Sequence, residues 1–321
     1  MTQLLQTLVD GLTVGALYAL IALGYTMVYG ILKFINFAHS DVFALGVHMT
    51  IVIAGWLGVS AMASTLPPWY IGPVVLILAM LSCGLVGFII ERFAYRPLRG
   101  APRINVLITA IGVSLLLQNV GQLKPFFAQS LPRLHIPFGP YPSAIPALLP
   151  DTVLFTVANV QFTLVNAAVV GTAVLLMLAL QYLIYSTKLG MAMRAVSFSP
   201  RNAGLMGINV DLIISMTFVI GSMLAAAAGF LYALKYQGQA KQTADSMWVM
   251  LGLKAFVAAV VGGIGNVRGA VLGGLLIGLI EFFGVVYVSS NYRDAYVFAI
   301  LIIVLLFRPE GVLGRATVEK V

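Results

Sequence analysis

The sequence predicts an all-α polytopic transmembrane helix bundle of eight to nine spans, and three observations carry that prediction. Hydrophobic residues make up 61% of the 321-residue chain and charged residues only 9%. A soluble domain carries about 25% charged residues and needs them to cover its surface. The apolar residues gather into runs of roughly 20, the length that crosses the hydrocarbon core of a bilayer as a helix. The basic residues behind the net charge of +8 fall at the ends of those runs, where they orient a chain in a membrane.

In order, the spans are expected at residues 4–30, 36–57, 73–95, 104–123, 162–185, 212–234, 247–263, 270–289 and 295–307. The first follows an N-terminus with no Lys or Arg before Asp10. A cleaved signal peptide wants a basic start and a short core, so this run is expected to be a retained span. The second is the least regular, because its first half holds Asn36, His39, Ser40 and Asp41. It is expected either as a full span or as a broken, re-entrant element, which leaves eight full spans. No long polar stretch separates the runs, so residues 1–321 read as one integral membrane domain.

Charge gives the direction. With the loop at 96–103 placed in the cytoplasm, alternation puts Lys33, Arg92, Arg96, Arg99, Arg103, Lys188, Arg194, Arg201, Arg268, Arg308, Arg315 and Lys320 inside. It puts Lys124, Arg133, Lys235, Lys241 and Arg293 outside. Twelve against five predicts an outer N-terminus and a cytoplasmic C-terminus. Outside, the loop 124–161 holds prolines at 125, 132, 137, 140, 142, 146 and 150. Proline fixes φ, and the loop is expected to form a semi-rigid outer platform.

Small residues recur four apart in three runs: Gly11, Gly15 and Ala19; Gly221, Ala225 and Gly229; Ala270, Gly274 and Gly278. Such stripes let helix backbones approach closely in lipid. They predict packing and say nothing of substrate. The lone cysteine, Cys83, lies in an apolar run and reads as a packing residue.

The inner stretch 185–210, YSTKLGMAMRAVSFSPRNAGLMGINV, is too polar and too long for a simple hairpin. Ser199 followed by Pro200 has the form of a helix cap and first turn. A short amphipathic helix is expected over 201–206, ending at Gly207. It carries Arg201 and Asn202, with Arg194 shortly before it. Its apolar side requires cover, either lipid or a cytoplasmic partner, and the local pattern does not separate the two.

The glycine-rich run 262–269, GGIGNVRG, joins two spans on the inner side. No strand precedes it and no Gly-Lys-Ser/Thr follows, so it reads as a tight turn rather than a phosphate cradle. Within the spans, Asp41, Lys254 and Glu281 are ionisable, and intramembrane charge pairs up or lines a watery cavity. Counted from the inner turn at about 1.5 Å per residue, Lys254 lies ~13 Å and Glu281 ~18 Å up neighbouring helices, depths that favour an ion pair. The knot Asn36, His39, Ser40 and Asp41 reads either as the satisfied end of a broken helix or as a gate or pathway wall. Ser114, Gln118 and Gln122 form one polar stripe on the fourth span, expected to face a cavity. Nothing in the composition points to nucleic acid. The three histidines are scattered, and no catalytic pair, metal-ligand cluster or cofactor motif is found.

Several stretches carry a family resemblance. Residues 11–24 (GLTVGALYALIALG), 35–41 (INFAHSD), 190–195 (GMAMRA), 207–209 (GIN), 254–266 (KAFVAAVVGGIGN) and 308–311 (RPEG) resemble, in order and over nearly the whole chain, the LivH-type permeases of bacterial branched-chain amino acid ABC importers. The sequence departs at Ser40, where the family usually has glycine, adding bulk to the polar knot. The resemblance implies an importer permease architecture in the bacterial inner membrane. It implies a second homologous permease, two ABC ATPases that hold the ATP and magnesium, and an external substrate-binding protein. It assigns 186–209 as the segment that couples to an ATPase, through Arg194, Ser199, Pro200, Arg201, Asn202 and Gly207. Asn36, His39, Ser40, Asp41, Ser114 and Gln118 become the expected pathway or gate, and the proline-rich loop a landing surface for the binding protein. The substrate is expected to be a branched-chain or other hydrophobic amino acid, with amides, urea or short peptides as alternatives. A stand-alone transporter with Asp41 or Glu281 carrying a proton is the rival reading; an intramembrane enzyme lacks a catalytic pair.

Overall fold

The computed structural model describes residues 2–59, 66–120, 143–157, 159–237, 241–242 and 247–314. Among these, nine apolar helices occupy the nine expected positions: α1 (Thr2–Leu32), α2 (His39–Trp56), α3 (Ile71–Ile90), α4 (Arg103–Val120), α5 (Leu164–Ser186), α8 (Val210–Lys235), α9 (Met247–Gly262), α10 (Val267–Tyr287) and α11 (Arg293–Phe307). Two shorter helices, α6 (Lys188–Phe198) and α7 (Pro200–Leu205), lie between α5 and α8. Six helical stretches are long and apolar enough to cross a membrane; α4 and α9 are shorter apolar helices. The chain is an all-α polytopic bundle.

Of the two forms expected for the second element, the unbroken one is found. α2 is one unbroken helix of 18 residues, about 27 Å at the usual rise. Its polar residues are not a break: Asn36 precedes the helix, and His39, Ser40 and Asp41 form its first turn. At the end of α3 the chain departs from a plain helix. Glu91–Tyr95 is a wide π turn and Arg96–Leu98 a tight one.

Local chemistry sets where helices begin. Thr163, Thr187, Ser199, Asn209 and Asn266 each accept a backbone N–H of the helix that follows, filling donors a helix start leaves unpaired. Ser199 and Pro200 open α7, and Gly207 closes the segment at φ 81°. The helix 188–198 was not foreseen as a separate element; its cap, Thr187, stands inside what reads as one mixed stretch.

α1 and α8 form the centre, with 83% and 72% of their apolar windows buried, against 6% for the last span. The stripes of small residues explain the closeness. A Cβ on Gly278 would collide with the backbone of Gly15, and one on Gly274 with Ala19. The first and third stripes are thus the two faces of the α1–α10 crossing. Gly229, of the second, lies against the Phe43 and Val47 backbone of α2. Gly278→Leu is expected to force α1 and α10 apart at a cost of at least about 1–3 kcal/mol, read as a lower melting temperature in detergent. Gly171→Leu, at a position with open space around it, is expected to leave that temperature unchanged.

Polar contacts divide the helix ends into two rims. On one, Ser197 Oγ donates to Gly30 O, Arg96 and Arg99 meet Asp211, and Arg268 lies 5.8 Å over the Tyr185 ring. There the glycine turn, with Gly263 at φ 105° and Gly265 at φ 93°, is closed by the chain's own later residues. Val312 N donates to Val261 O at 2.8 Å and Leu313 N to Gly262 O at 3.1 Å. On the other rim, Lys235 binds Asp10 at 3.1 Å and Asn166 at 2.7 Å. This opposite rim also carries β1 (Ser143–Ala144) paired with β4 (Lys241–Gln242), and the hairpin of β2 (Val153–Val157) and β3 (Val160–Thr163). Both sheets are antiparallel. Of the expected outer platform, residues 124–142 and 158 lie outside the described residues; the described remainder holds β1, β2 and the start of β3.

Candidate translocation and coupling sites

The start of α2, from Asn36 just ahead of it through its first turn, is a hub. Each of its four polar residues meets a different neighbour. Asn36 Oδ1 accepts from Tyr95 Oη at 2.6 Å, at the end of the wide turn after α3. The His39 ring occupies the space that the missing side chain of Gly24 leaves on α1, with Nε2 3.2 Å from Ile21 O. Tyr25 stands edge-on to that ring, centroids 4.7 Å apart. Ser40 lies against Gly252 of α9, where any Cβ would collide with it, and its hydroxyl donates to Phe37 O at 3.0 Å. The bulk added at Ser40 is therefore met by an absent side chain opposite.

Asp41 completes the hub. Its Oδ1 accepts from Gln118 Nε2 at 2.9 Å, and the same amide nitrogen lies 3.1 Å from Ser114 Oγ. The polar stripe of α4 thus faces α2, with Gln122 outside the described residues. Asp41 is 4% exposed, and its Oδ2 is buried with no hydrogen-bond partner among the described residues. A carboxylate oxygen left bare inside a bundle is expensive. Gln118→Leu would remove the amide that the other oxygen accepts from. It is expected to lower stability by about 1–3 kcal/mol, checked by thermal unfolding of the solubilised protein.

The charged pair lies deeper in the fold than two residues. Lys254 Nζ is 2.9 Å from Glu281 Oε1, as counting along two helices from one turn suggests. Three further groups close around them: Tyr18 Oη donates to Glu281 Oε2 at 2.6 Å, Arg293 Nε donates to Glu281, and Asp294 lies 2.6 Å from Lys254. Glu281 is wholly buried, whereas the Arg293 and Asp294 side chains are about half exposed. The cluster ties α1, α9, α10 and α11 together near the rim that carries the strands.

The helix pair 188–205 lies along the opposite rim. Arg194 is exposed but folds back on the chain, donating to Ile184 O with its guanidinium 5.7 Å from the Tyr185 ring centroid. It fastens α6 to the end of α5. Arg201, Asn202 and Gly207 are exposed. So are Phe198 at 91%, Leu205 at 81% and Met206 at 83%. The apolar residues next to Arg201 form the barest part of this face.

A third cluster lies beside this helix pair. Arg96 and Arg99 both donate to Asp211, Arg99 also to Glu91, and Ser215 Oγ donates to the second Glu91 oxygen. Glu91 is fully buried. From the sequence, Arg96 and Arg99 count only as orienting charges, and Glu91, Asp211 and Ser215 carry no role. The available signal was an acid in the last turn of an apolar run with arginines five and eight residues on; the partner Asp211, more than a hundred residues away, gives none.

An apolar bundle with polar groups collected at internal contacts, and an open amphipathic helix on its basic rim, has the build of a membrane transport protein. The chain belongs to the family described as "Branched-chain amino acid transport system / permease component", whose model matches residues 7–305. The high-affinity branched-chain amino acid transport system permease protein BraD of Pseudomonas aeruginosa is 40% identical, with 99% of this chain and 98% of that protein covered. The permease proteins LivH of Salmonella typhimurium and Escherichia coli are each 38% identical, with 99% of this chain and 97% of theirs covered. A solved structure of PsaBC from Streptococcus pneumoniae in complex with Fab aligns over 96% of this chain at TM-score 0.42 and 13% identity, too distant to carry an argument.

Proposed function

We propose that this chain is the membrane-spanning permease subunit of an ATP-driven ABC importer that moves branched-chain or other hydrophobic amino acids inward. The observation that carries the reading is near full-length identity of 38–40% to permeases of that transport system. The open face of α7, with Leu205 and Met206 bare on the basic rim, supports it by offering a surface for an ATPase. A second homologous permease completes the pathway, two ATPases bind the ATP and magnesium, and an external binding protein delivers the substrate. The chain sits in the bacterial inner membrane with its basic rim in the cytoplasm, its N-terminus outside and its C-terminus inside. The hub of Asn36, His39, Ser40 and Asp41, with Ser114 and Gln118, lines or gates the path. Lys254 and Glu281 hold the helices that surround it.

Purification in mild detergent from native membranes tests this. The tagged chain is expected to bring down a related permease and ABC ATPase subunits in one complex. Recovery of the chain alone, under conditions that keep it folded, would contradict the reading. A ligand screen on the associated binding protein decides between hydrophobic amino acids and amides, urea or short peptides.

A further inference from the structure

We propose that the Glu91–Arg99–Asp211 cluster, joined by Arg96, is a clasp that passes movement of α7 to the polar segment at the start of α2. The proposal rests on the ATP-driven reading above and assigns positioning residues to it.

Asp211 stands in the first turn of α8, immediately beyond α7 and the turn at Gly207. Whatever displaces α7 displaces Asp211 first. Its two carboxylate oxygens are taken separately, one by Arg96 and one by Arg99. The other arm of Arg99 reaches the buried Glu91, and Ser215, one turn further along α8, donates to that same carboxylate. The start of α8 is therefore gripped at two points by the turns after α3. Glu91 also opens the wide turn whose last residue, Tyr95, donates to Asn36 at 2.6 Å, three residues before α2 begins. A wide turn is an interruption that recurs at moving or functional points of helices.

Two further observations favour a moving part over a fixed staple. A cavity of about 510 Å³ lies against the clasp, lined by the end of α1, Leu98, Arg99, Ala101, Pro200 and Asp211. The turns have room to shift there without collision. Arg99 Nε is buried with no partner among the described residues, so the network keeps a donor that its present arrangement does not use. Arg99 bridges two acids, one nitrogen to each, and charge-assisted hydrogen bonds of this kind are strong, which suits transmission of a displacement.

The test uses the complete transporter in proteoliposomes, and the readout is leucine taken up per ATP hydrolysed. Asp211→Asn is expected to lower that ratio at least about fivefold, the low end of ordinary coupling energies, while the complex still assembles and hydrolyses ATP. Tyr95→Phe removes only the far bond to Asn36 and is expected to lower the ratio in the same direction. The double variant is expected to lose no more than Asp211→Asn alone, because the two act in one chain. A staple alone predicts a normal ratio for Tyr95→Phe. That result, or a normal ratio for Asp211→Asn, overturns the clasp; if Asp211→Asn fails to assemble, Tyr95→Phe decides. A wild-type complex without ATP-dependent uptake would overturn the function instead.

Discussion

Glu281→Leu is expected to cost about 3–5 kcal/mol, the usual penalty for removing one partner of a buried charge network. Glu281 is the shared acceptor of Lys254, Arg293 and Tyr18. Its loss leaves Arg293 and Tyr18 without the acceptor they now use, and leaves Lys254, 6% exposed, to Asp294 alone. A folded domain has a total margin of about 5–15 kcal/mol, so much of it would go. The measurement is the melting temperature of the solubilised protein, with the amount recovered from membranes as a second readout. Glu281→Gln keeps an oxygen for Tyr18 and is expected to fall between wild type and leucine. Lys254→Met combined with Glu281→Leu is expected to be less damaging than the sum of the two single changes, since neither then abandons the other. An unshifted melting temperature for Glu281→Leu would show that the cluster is not holding the four helices.

Leu205→Asp with Met206→Asp is expected to abolish ATPase association while leaving the membrane bundle folded. Both side chains are more than four-fifths exposed, so their replacement removes little from the fold of the isolated chain. In a complex they would be desolvated, each worth about 1.5–3 kcal/mol. Losing both weakens the complex by at least about a hundredfold, at ~1.4 kcal/mol per factor of ten. The added carboxylates raise the penalty further if they are buried unpaired. Co-purification from detergent checks the outcome. Intact ATPase binding by the double variant would place this face on lipid, the other cover that the sequence allows. Arg201→Ala belongs with these changes. Arg194→Ala does not, because Arg194 fastens α6 to the end of α5, and its loss is expected to loosen α6 first.

Much of this architecture is legible because lipid imposes simple rules. Every span must be an apolar run, so nine runs gave nine helices. The cap at Ser199 and the stop at Gly207 are local chemistry, readable without the rest of the chain. The small-residue stripes of α1 and α10 are periodic, and periodicity survives in sequence. The hub is only half legible. Asn36, His39, Ser40 and Asp41 stand out as polar residues in an apolar setting, but a helix that begins with a polar turn and a helix that breaks have the same composition. The distinction lies in the partners, and two of them are absences: Gly24 makes room for His39, and Gly252 for Ser40. Tyr18 shows why the charged cluster was undercounted. A tyrosine inside an apolar helix looks like packing until the acid it bonds, 263 residues on, is placed beside it. The clasp at Asp211 is hidden for the same reason, and the β2–β3 hairpin because its strands are themselves apolar next to a span.

As the permease of an ATP-driven importer, this chain is expected to move its substrate only as part of the whole assembly. The most direct test is uptake of labelled leucine into proteoliposomes, comparing the lone chain with the chain assembled with its permease and ATPase partners and supplied with binding protein. Accumulation is expected from the assembly only while ATP is hydrolysed on the side of the basic rim, and none from the lone chain under a pH gradient. Accumulation by the lone chain, driven by that gradient without ATP, would contradict it.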